Sequence, residues 1–371
     1  MPEKAHRTSH WREKFPLKTG YAWLDVLLVA VPAAIVLEYV FHAPPLLLFA
    51  VAAIGIIPLA GALGEAADEL GQHLGERAGG LLNATMGNAT ELIISFFALR
   101  AGHVEIVKAS ISGSIIGNVL LVLGMSAFAG GIGREHQLFS RRHASIAGTM
   151  LFIAVVALVM PAVFDLAVYG QLRESGHRVE QLSLWTCLVL VLVYVLSIAF
   201  TFGSKQKNPA TPAQRPAGSA RSALLALVIA TVLVAIMSEI LVGQIEAAKR
   251  ALGMSDLFLG VIIIAVIGNA AEHATAIMMA RRDRMELAVS IAIGSSIQIA
   301  LLVAPILVFA AWLMGKPMSL VFTPLEIAGI TLAVLTAQMI SSDGETTWFE
   351  GVQLMAVYLI LAVAFYFVPA S

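Results

Sequence analysis

The chain has 371 residues, 59% of them hydrophobic and 13% charged, with a mean hydropathy of +0.87, far more apolar than a soluble globular chain. That composition describes an integral membrane protein. A net charge of −1 excludes the basic field that nucleic-acid binding needs, and the single cysteine, Cys187, has no partner for an intramolecular disulfide.

The first segment, "MPEKAHRTSHWREKFPLKTG", is basic, and the apolar run after it has no small-residue cleavage site. Residues 1–21 therefore read as a cytoplasmic tail and 22–41 as an extra, retained first helix. Further runs that meet the ~20 residues a bilayer crossing needs lie at 45–64, 80–101, 106–130, 144–165, 182–202, 222–245, 256–280, 287–312, 322–341 and 350–369. That makes about eleven spans. The ten-residue alternation of a membrane barrel is absent, so the expected fold is an all-α polytopic membrane protein. Between the runs, "GSKQKNPATPAQRPAGSAR" at 203–221 is polar, rich in Pro and Ala and without periodicity, and reads as a flexible cytoplasmic linker between five-helix halves at 45–202 and 222–369. With the N-terminus inside, 16 Lys and Arg fall on the cytoplasmic side and seven outside: Arg100, Lys108, Arg173, Arg178, Lys249, Arg250 and Lys316. This asymmetry favours N-in, C-out. The cluster "RRDR" belongs to the ordinary positive flank.

The halves repeat. "GNATEL" at 87–92 and "GNAAEH" at 268–273 lie 181 residues apart, and the same offset relates Gly113-Ser114 to Gly294-Ser295 and Glu65 to Glu246. Because each half holds an odd number of spans, the second copy crosses in the opposite sense, giving the inverted repeat of an alternating-access transporter. Glu91 and Glu272 fall well inside their spans, where ionisable groups face a cavity or a partner. Asn88 and Asn269 stand three residues earlier, on the same helical face. Two such faces brought together make a site of two carboxylates and two amides, an oxygen set suited to a hard divalent cation. Gly79, Gly80, Gly87, Gly260 and Gly268 are places where the helix can break and turn main-chain carbonyls inward, with Ala84 and Ala265 first among them. Ser114 and Asn118 in "SGSIIGNVLLVLG", and Ser295 and Gln298 in "IGSSIQIALLVAP", would complete a four-helix centre.

The paired "GNATEL" and "GNAAEH", followed by "GSIIGN" and "GSSIQ", resemble the cation/proton exchanger (CAX) family, the calcium/proton antiporters of the wider calcium/cation antiporter superfamily. The resemblance spans nearly the whole chain. It implies that Glu91 and Glu272 bind the cation and accept the competing protons, supported by Asn88 and Asn269. It also implies an acidic pair, Asp68 and Glu69, in "ALGEAADELGQHLGERAGGLLNATMGNATELI", with Glu239 and Glu246 of "SEILVGQIE" as counterparts on an access or proton path. One departure is the linker, basic here and acidic in many members of that family.

Simpler roles compete with these. The Asn residues could bridge helices, the Ser and Gln residues could merely pack, and His273 could be a hydrogen-bonding partner rather than a proton carrier. Glu91 and Glu272 could be structural ion pairs, but no Lys or Arg sits at matching depth. The resulting reading is a Ca2+/proton antiporter in a lipid bilayer, expected in a prokaryotic plasma membrane, with Ca2+ and protons as substrates, no cofactor and a homo-oligomer left open. The alternatives are a Na+/Ca2+-type or monovalent cation/proton exchanger and a passive cation channel, the latter disfavoured by a single central site instead of rings along a pore. No HExxH or similar motif supports an enzyme.

Overall fold

The structure is a computed structural model that describes residues 17, 19, 22–170, 177–203 and 218–369. The expected tail and most of the expected linker thus lie outside the described residues. Residues 22–39 form α1 (Ala22–Leu27) and α2 (Ala30–Tyr39). The first half continues with α3 (Pro45–Leu74), α4 (Glu76–Met86), α5 (Ala89–Ala101), α6 (Val104–Ile116), α7 (Leu123–Gly131), α8 (Arg141–Tyr169) and α9 (His177–Gly203). The second half contains α10 (Ala220–Gly243), α11 (Ile245–Leu252), α12 (Asp256–Phe258), α13 (Ala265–Arg281), α14 (Met285–Gln298), α15 (Ala304–Leu313), α16 (Pro324–Ile340) and α17 (Trp348–Tyr366). Strands β1 (Gln137–Leu138) and β2 (Glu345–Thr346) pair antiparallel, with Gln137 opposite Thr346.

Among the described residues, eight continuous helices are long and apolar enough to cross a membrane. The other three expected spans are helical but interrupted or short. Residues 22–39 are split in two, 76–101 breaks at Gly87–Asn88, and α16 has 17 residues. Three of the crossings pass through a wider π-type turn, at Gly117–Val122, Leu259–Ile264 and Ile299–Val303. Such turns leave carbonyls off the regular ladder and recur at functional sites.

The repeat is visible in the element boundaries. The 181-residue offset carries the start of α6, Val104, onto the start of α14, Met285, and the π turn at 117–122 onto 298–303, beside the observed 299–303. The copies run in opposite directions. Lys316 Nζ donates to Arg100 O at the end of α5, whereas the end of the matching α13 lies beside α7, where Arg134 donates to Arg281 O. The latter end also carries the β1–β2 ribbon.

Packing at the two ends is unequal. α6 lies so close to the Leu259–Ile264 turn that a Cβ on Gly113 would fall within 3 Å of the Val261 backbone, and one on Gly260 would meet Ile106 O at 2.7 Å. The equivalent helix of the first copy, α4, packs on α3 through Gly71 and Gly79 and leaves Leu81, Asn83 and Thr85 exposed. One further expectation is revised: Lys108, grouped with the outer loops, is buried in the second turn of α6 and paired with Glu105 at 2.8 Å. Its aliphatic stem packs while the charge is matched locally.

The close packing yields a contrast. Gly113→Ala should lower stability by about 1–3 kcal/mol, the usual cost of overpacking a filled site. Gly64→Ala, where a Cβ would meet nothing within 4 Å, should be neutral or gain up to ~1 kcal/mol from helix propensity. Thermal melting of the two variants in one detergent tests this, and equal losses would contradict it.

Candidate functional site

The two glycine-asparagine motifs meet at the centre, but their backbones differ. In the first copy the helix stops at Met86, turns through Gly87 and Asn88, and restarts at Ala89, so Asn88 is the N-cap of α5 and Glu91 lies in its first turn. In the second copy α13 runs unbroken through Gly268 and Asn269, and the irregularity lies earlier, in the Leu259–Ile264 turn. The expected helix breaks are therefore met at Gly87 and shifted to the π turn around Gly260. Gly79, Gly80 and Gly268 remain helical.

Each motif glycine makes room for the other copy's glutamate. A Cβ on Gly268 would lie 2.9 Å from Glu91 Cγ, and one on Gly87 would lie 3.3 Å from Glu272 Oε1. This function of the glycines was not visible in the sequence, where they read only as helix-breaking points. Both Glu91 oxygens and Glu272 Oε2 are buried with no hydrogen-bond partner. An unpartnered buried charge costs several kcal/mol, so a buried pair of this kind suits a neutralising ligand: a cation or protons.

Around the carboxylates the amides and hydroxyls cross between copies. Ser295 Oγ donates to Asn88 Oδ1 at 3.1 Å, and Asn269 Nδ2 donates to Ser114 Oγ at 2.9 Å, so each motif amide bonds the other half's serine. Asn88 Nδ2 also donates to Gln298 Oε1 at 2.5 Å. Asn118 Nδ2 is shared between Ser295 Oγ at 3.2 Å and Asn269 Oδ1 at 3.4 Å. His273 Nε2 lies 3.2 Å from Asn118 Oδ1, the hydrogen-bonding place that a lone embedded histidine most simply takes. The expected four-helix centre thus holds one hydrogen-bonded set, Asn88, Ser114, Asn118, Asn269, His273, Ser295 and Gln298, with Glu91 and Glu272 beside it.

The expected main-chain carbonyls are less alike. Ala265 O accepts from Asn269 Nδ2 at 2.9 Å, while Ala84 lies within α4 one turn before Gly87. The peripheral acids stay apart from the centre. Asp68 is exposed on α3, and Glu69 packs against Gly218, whose carbonyl lies 3.1 Å from His73 Nε2. Glu239 is exposed on α10, and Glu246 pairs with Lys249 at 3.4 Å and His103 at 3.6 Å. Among the described residues no group of three or more His, Cys, Asp or Glu assembles, so a cation shell here draws on neutral oxygens beside the two carboxylates.

Two buried acids among the described residues were not singled out in the sequence, Asp165 on α8 and Glu326 on α16. Glu326 accepts from Thr323 N and Oγ1 at 2.9 and 2.8 Å and from Ser112 Oγ at 2.9 Å, tying α16 to α6. Its signal was the capping-box pattern in "TPLE". It is fully partnered and lies outside the central set.

A family profile described as "Sodium/calcium exchanger protein" matches residues 44–203 and 222–367. The chain is 40% identical over 343 residues to a Ca(2+)/H(+) antiporter of Synechocystis sp. (strain ATCC 27184 / PCC 6803 / Kazusa), covering 86% of this chain and 91% of that protein. It is 42% identical over 341 residues to the Ca(2+)/H(+) antiporter ChaA of Bacillus subtilis (strain 168), covering 89% and 95%. The solved structure of native YfkE matches with a TM-score of 0.81 and 40% identity over 92% of this chain and 99% of that one.

The cross-braced amides and the lone carboxylates should respond oppositely to substitution. Asn118→Ala leaves Asn269, Ser295 and His273 short of a partner and should cost about 1–3 kcal/mol. Glu91→Gln removes a buried charge and should keep or raise stability in cation-free protein. Melting temperatures at neutral pH with a chelator present provide the comparison, and a large loss for Glu91→Gln would assign that carboxylate a structural partner.

Proposed function

The chain belongs to the sodium/calcium exchanger protein family, and from that premise we infer that it exchanges Ca2+ for protons across a membrane. The observation that carries the assignment of the site is the pair Glu91 and Glu272, facing one another with buried, unpartnered oxygens. A divalent cation is balanced by two carboxylates, and two protons neutralise the same pair. Low polarity favours the neutral acid, while a bound cation favours the carboxylate, so the two loads exclude each other. Mutual exclusion couples the flows, because only the neutral combinations cross between inward- and outward-open forms.

The neighbouring groups have separable roles. Asn88 and Asn269 each keep an oxygen lone pair for the cation while Ser295 and Ser114 hold the amides in place. Asn118 and Gln298 orient those amides, and His273 completes the network through Asn118. Ca2+ takes six to eight oxygens, which the carboxylates, amides and main-chain carbonyls at the helix interruptions can supply. To Asp68, Glu69, Glu239 and Glu246, which lie apart from the centre, we assign the drawing in of cations or the passage of protons. The protein is an integral, multi-pass membrane protein; we assign it to a prokaryotic plasma membrane, N-terminus inside and C-terminus outside, on its Lys and Arg distribution.

In inverted vesicles, Ca2+ should dissipate an imposed pH gradient, with Mn2+, K+ and Na+ compared in turn; a strict requirement for Na+ would overturn proton coupling. Glu91→Gln and Glu272→Gln should each abolish exchange, since an amide neither balances Ca2+ nor takes up a proton. Ca2+ at a hundred times its Kd should stabilise the unmodified protein by about 2.7 kcal/mol and neither glutamine variant. Asn88→Ala and Asn269→Ala should weaken apparent affinity and leave residual transport, with Gln298→Ala milder. Near-normal exchange by Glu91→Gln would remove the carboxylate from the mechanism.

Sidedness has its own check. Cysteines at Asp68 and Glu246 should react with an impermeant reagent from opposite faces, and labelling of both from one face would contradict the inverted arrangement.

A further inference from the structure

A row of residues at i, i+4 spacing runs along α14: Glu286, Ser290, Gly294 and Gln298. Such a row forms one ridge on the helix surface. Its last member bonds Asn88 in the central site. Its first three members line one wall of a cavity of about 150 Å³, faced from α8 by His143, Ala144 and Ala147. That volume holds several waters, each of which occupies about 30 Å³ in the liquid. Gly294 forms open floor, since a Cβ there would meet nothing within 4 Å. At the mouth, Glu286 accepts from Ser140 N and lies 2.8 Å from His143 Nδ1. Its side chain remains 39% exposed, which leaves oxygen lone pairs toward solvent.

The repeat supplies an internal comparison. Shifted by 181 residues, the same row in the first copy reads Glu105, Ala109, Gly113 and Gly117. There it is sealed: Ala109 and Gly113 lie against Gly260 and Val261, with no space for a side chain or water between them. The corresponding partner of α14 would be α4, which instead packs on α3, so Gly294 lacks the close backbone cover that Gly113 has. One sequence pattern thus closes one end of the molecule and lines an opening at the other. The open copy has a hydroxyl, Ser290, where the sealed copy has a methyl, Ala109.

We propose that the Glu286–Ser290–Gly294–Gln298 ridge of α14 lines the route by which Ca2+ reaches the central carboxylates from the α3–α4 end, with Glu286 as the first carboxylate it meets. This rests on the Ca2+/proton reading above. A hydrated cation leaving bulk water meets negative charge at Glu286, oxygen at Ser290, an unobstructed backbone at Gly294, and then the Gln298 amide that holds Asn88. Charged groups flanking this region include Arg141 and Arg142 on α8, Arg282 and Arg284 before α14, the Arg134–Asp283 pair, and His136 beside β1 paired with Glu345 of β2. Of the acids at this end, Glu286 is the one that lines the cavity itself.

The test uses full-length protein in vesicles with Cys187→Ser as background, since Cys187 is buried and is the chain's only cysteine. Single cysteines are placed at Ser290, Gly294, Ala109 and Arg282. Arg282, exposed at the same end, reports which membrane face that end occupies, independently of the assigned orientation. Ser290→Cys and Gly294→Cys should react with an impermeant thiosulfonate from the face that labels Arg282→Cys, and Ala109→Cys should react at least tenfold more slowly. A positively charged adduct at Ser290 should lower apparent Ca2+ affinity at least tenfold more than a neutral adduct of similar size. Glu286→Gln should raise the KM for Ca2+ several-fold with kcat retained, and Glu286→Asp should restore it; a merely structural role would lower kcat or expression instead. Intact Ca2+/proton exchange with no labelling at 290 and 294, or labelling without an effect of adduct charge, would overturn the route alone. Failure of the unmodified protein to exchange Ca2+ for protons would overturn the functional reading beneath it.

Discussion

Glu91 and Glu272 lie buried at the centre, each beside the other copy's motif glycine, and among the described residues neither has a compensating cation as a neighbour. Charge in such a place is tolerated only when something neutralises it. Here the protein withholds that partner: both Glu91 oxygens and one of Glu272 are left without a hydrogen bond. The surrounding hydroxyls and amides bond to each other, so their geometry is set before any ligand arrives. The result is a rigid cradle around two groups whose charge state is left to be decided by whatever occupies it.

The cradle is built across the two halves. Asn88 bonds Ser295 and Gln298, while Asn269 bonds Ser114 and shares Asn118. The motif glycines follow the same logic, with Gly87 clearing space for Glu272 and Gly268 for Glu91. Neither half could form the site alone. Cross-bonding also means that a shift of one half against the other must strain or exchange these bonds, which ties the occupancy of the centre to the arrangement of the helices.

The copies share a pattern without sharing a conformation. α6 and the 259–264 turn press together at glycines, whereas α14 faces a cavity and α4 has moved its packing to α3. Symmetric sequence with asymmetric packing is what one side open and the other closed requires. The interrupted helices make the difference affordable: Gly87–Asn88 in one copy and the π turn in the other let half-helices reorient without breaking a regular ladder.

By itself the sequence determined the membrane class, the helical architecture, the 181-residue repeat and the identity of the central polar residues. Each depends on local composition or on spacing along one helix, so Asn88 and Glu91 share a face wherever that helix goes. Hydropathy windows also located all eleven helical segments, although they could not foresee that 22–39 and 76–101 would be broken, since a break costs little change in apolar content. Tertiary structure alone decided which serine meets which asparagine, that Gly87 and Gly268 serve the opposite copy's glutamates, and that Lys108 is buried against Glu105. It also decided that Glu105's row is sealed while Glu286's row is open. These are contacts between segments far apart in the chain, set by how close two backbones can come, and no periodicity within either segment encodes that distance.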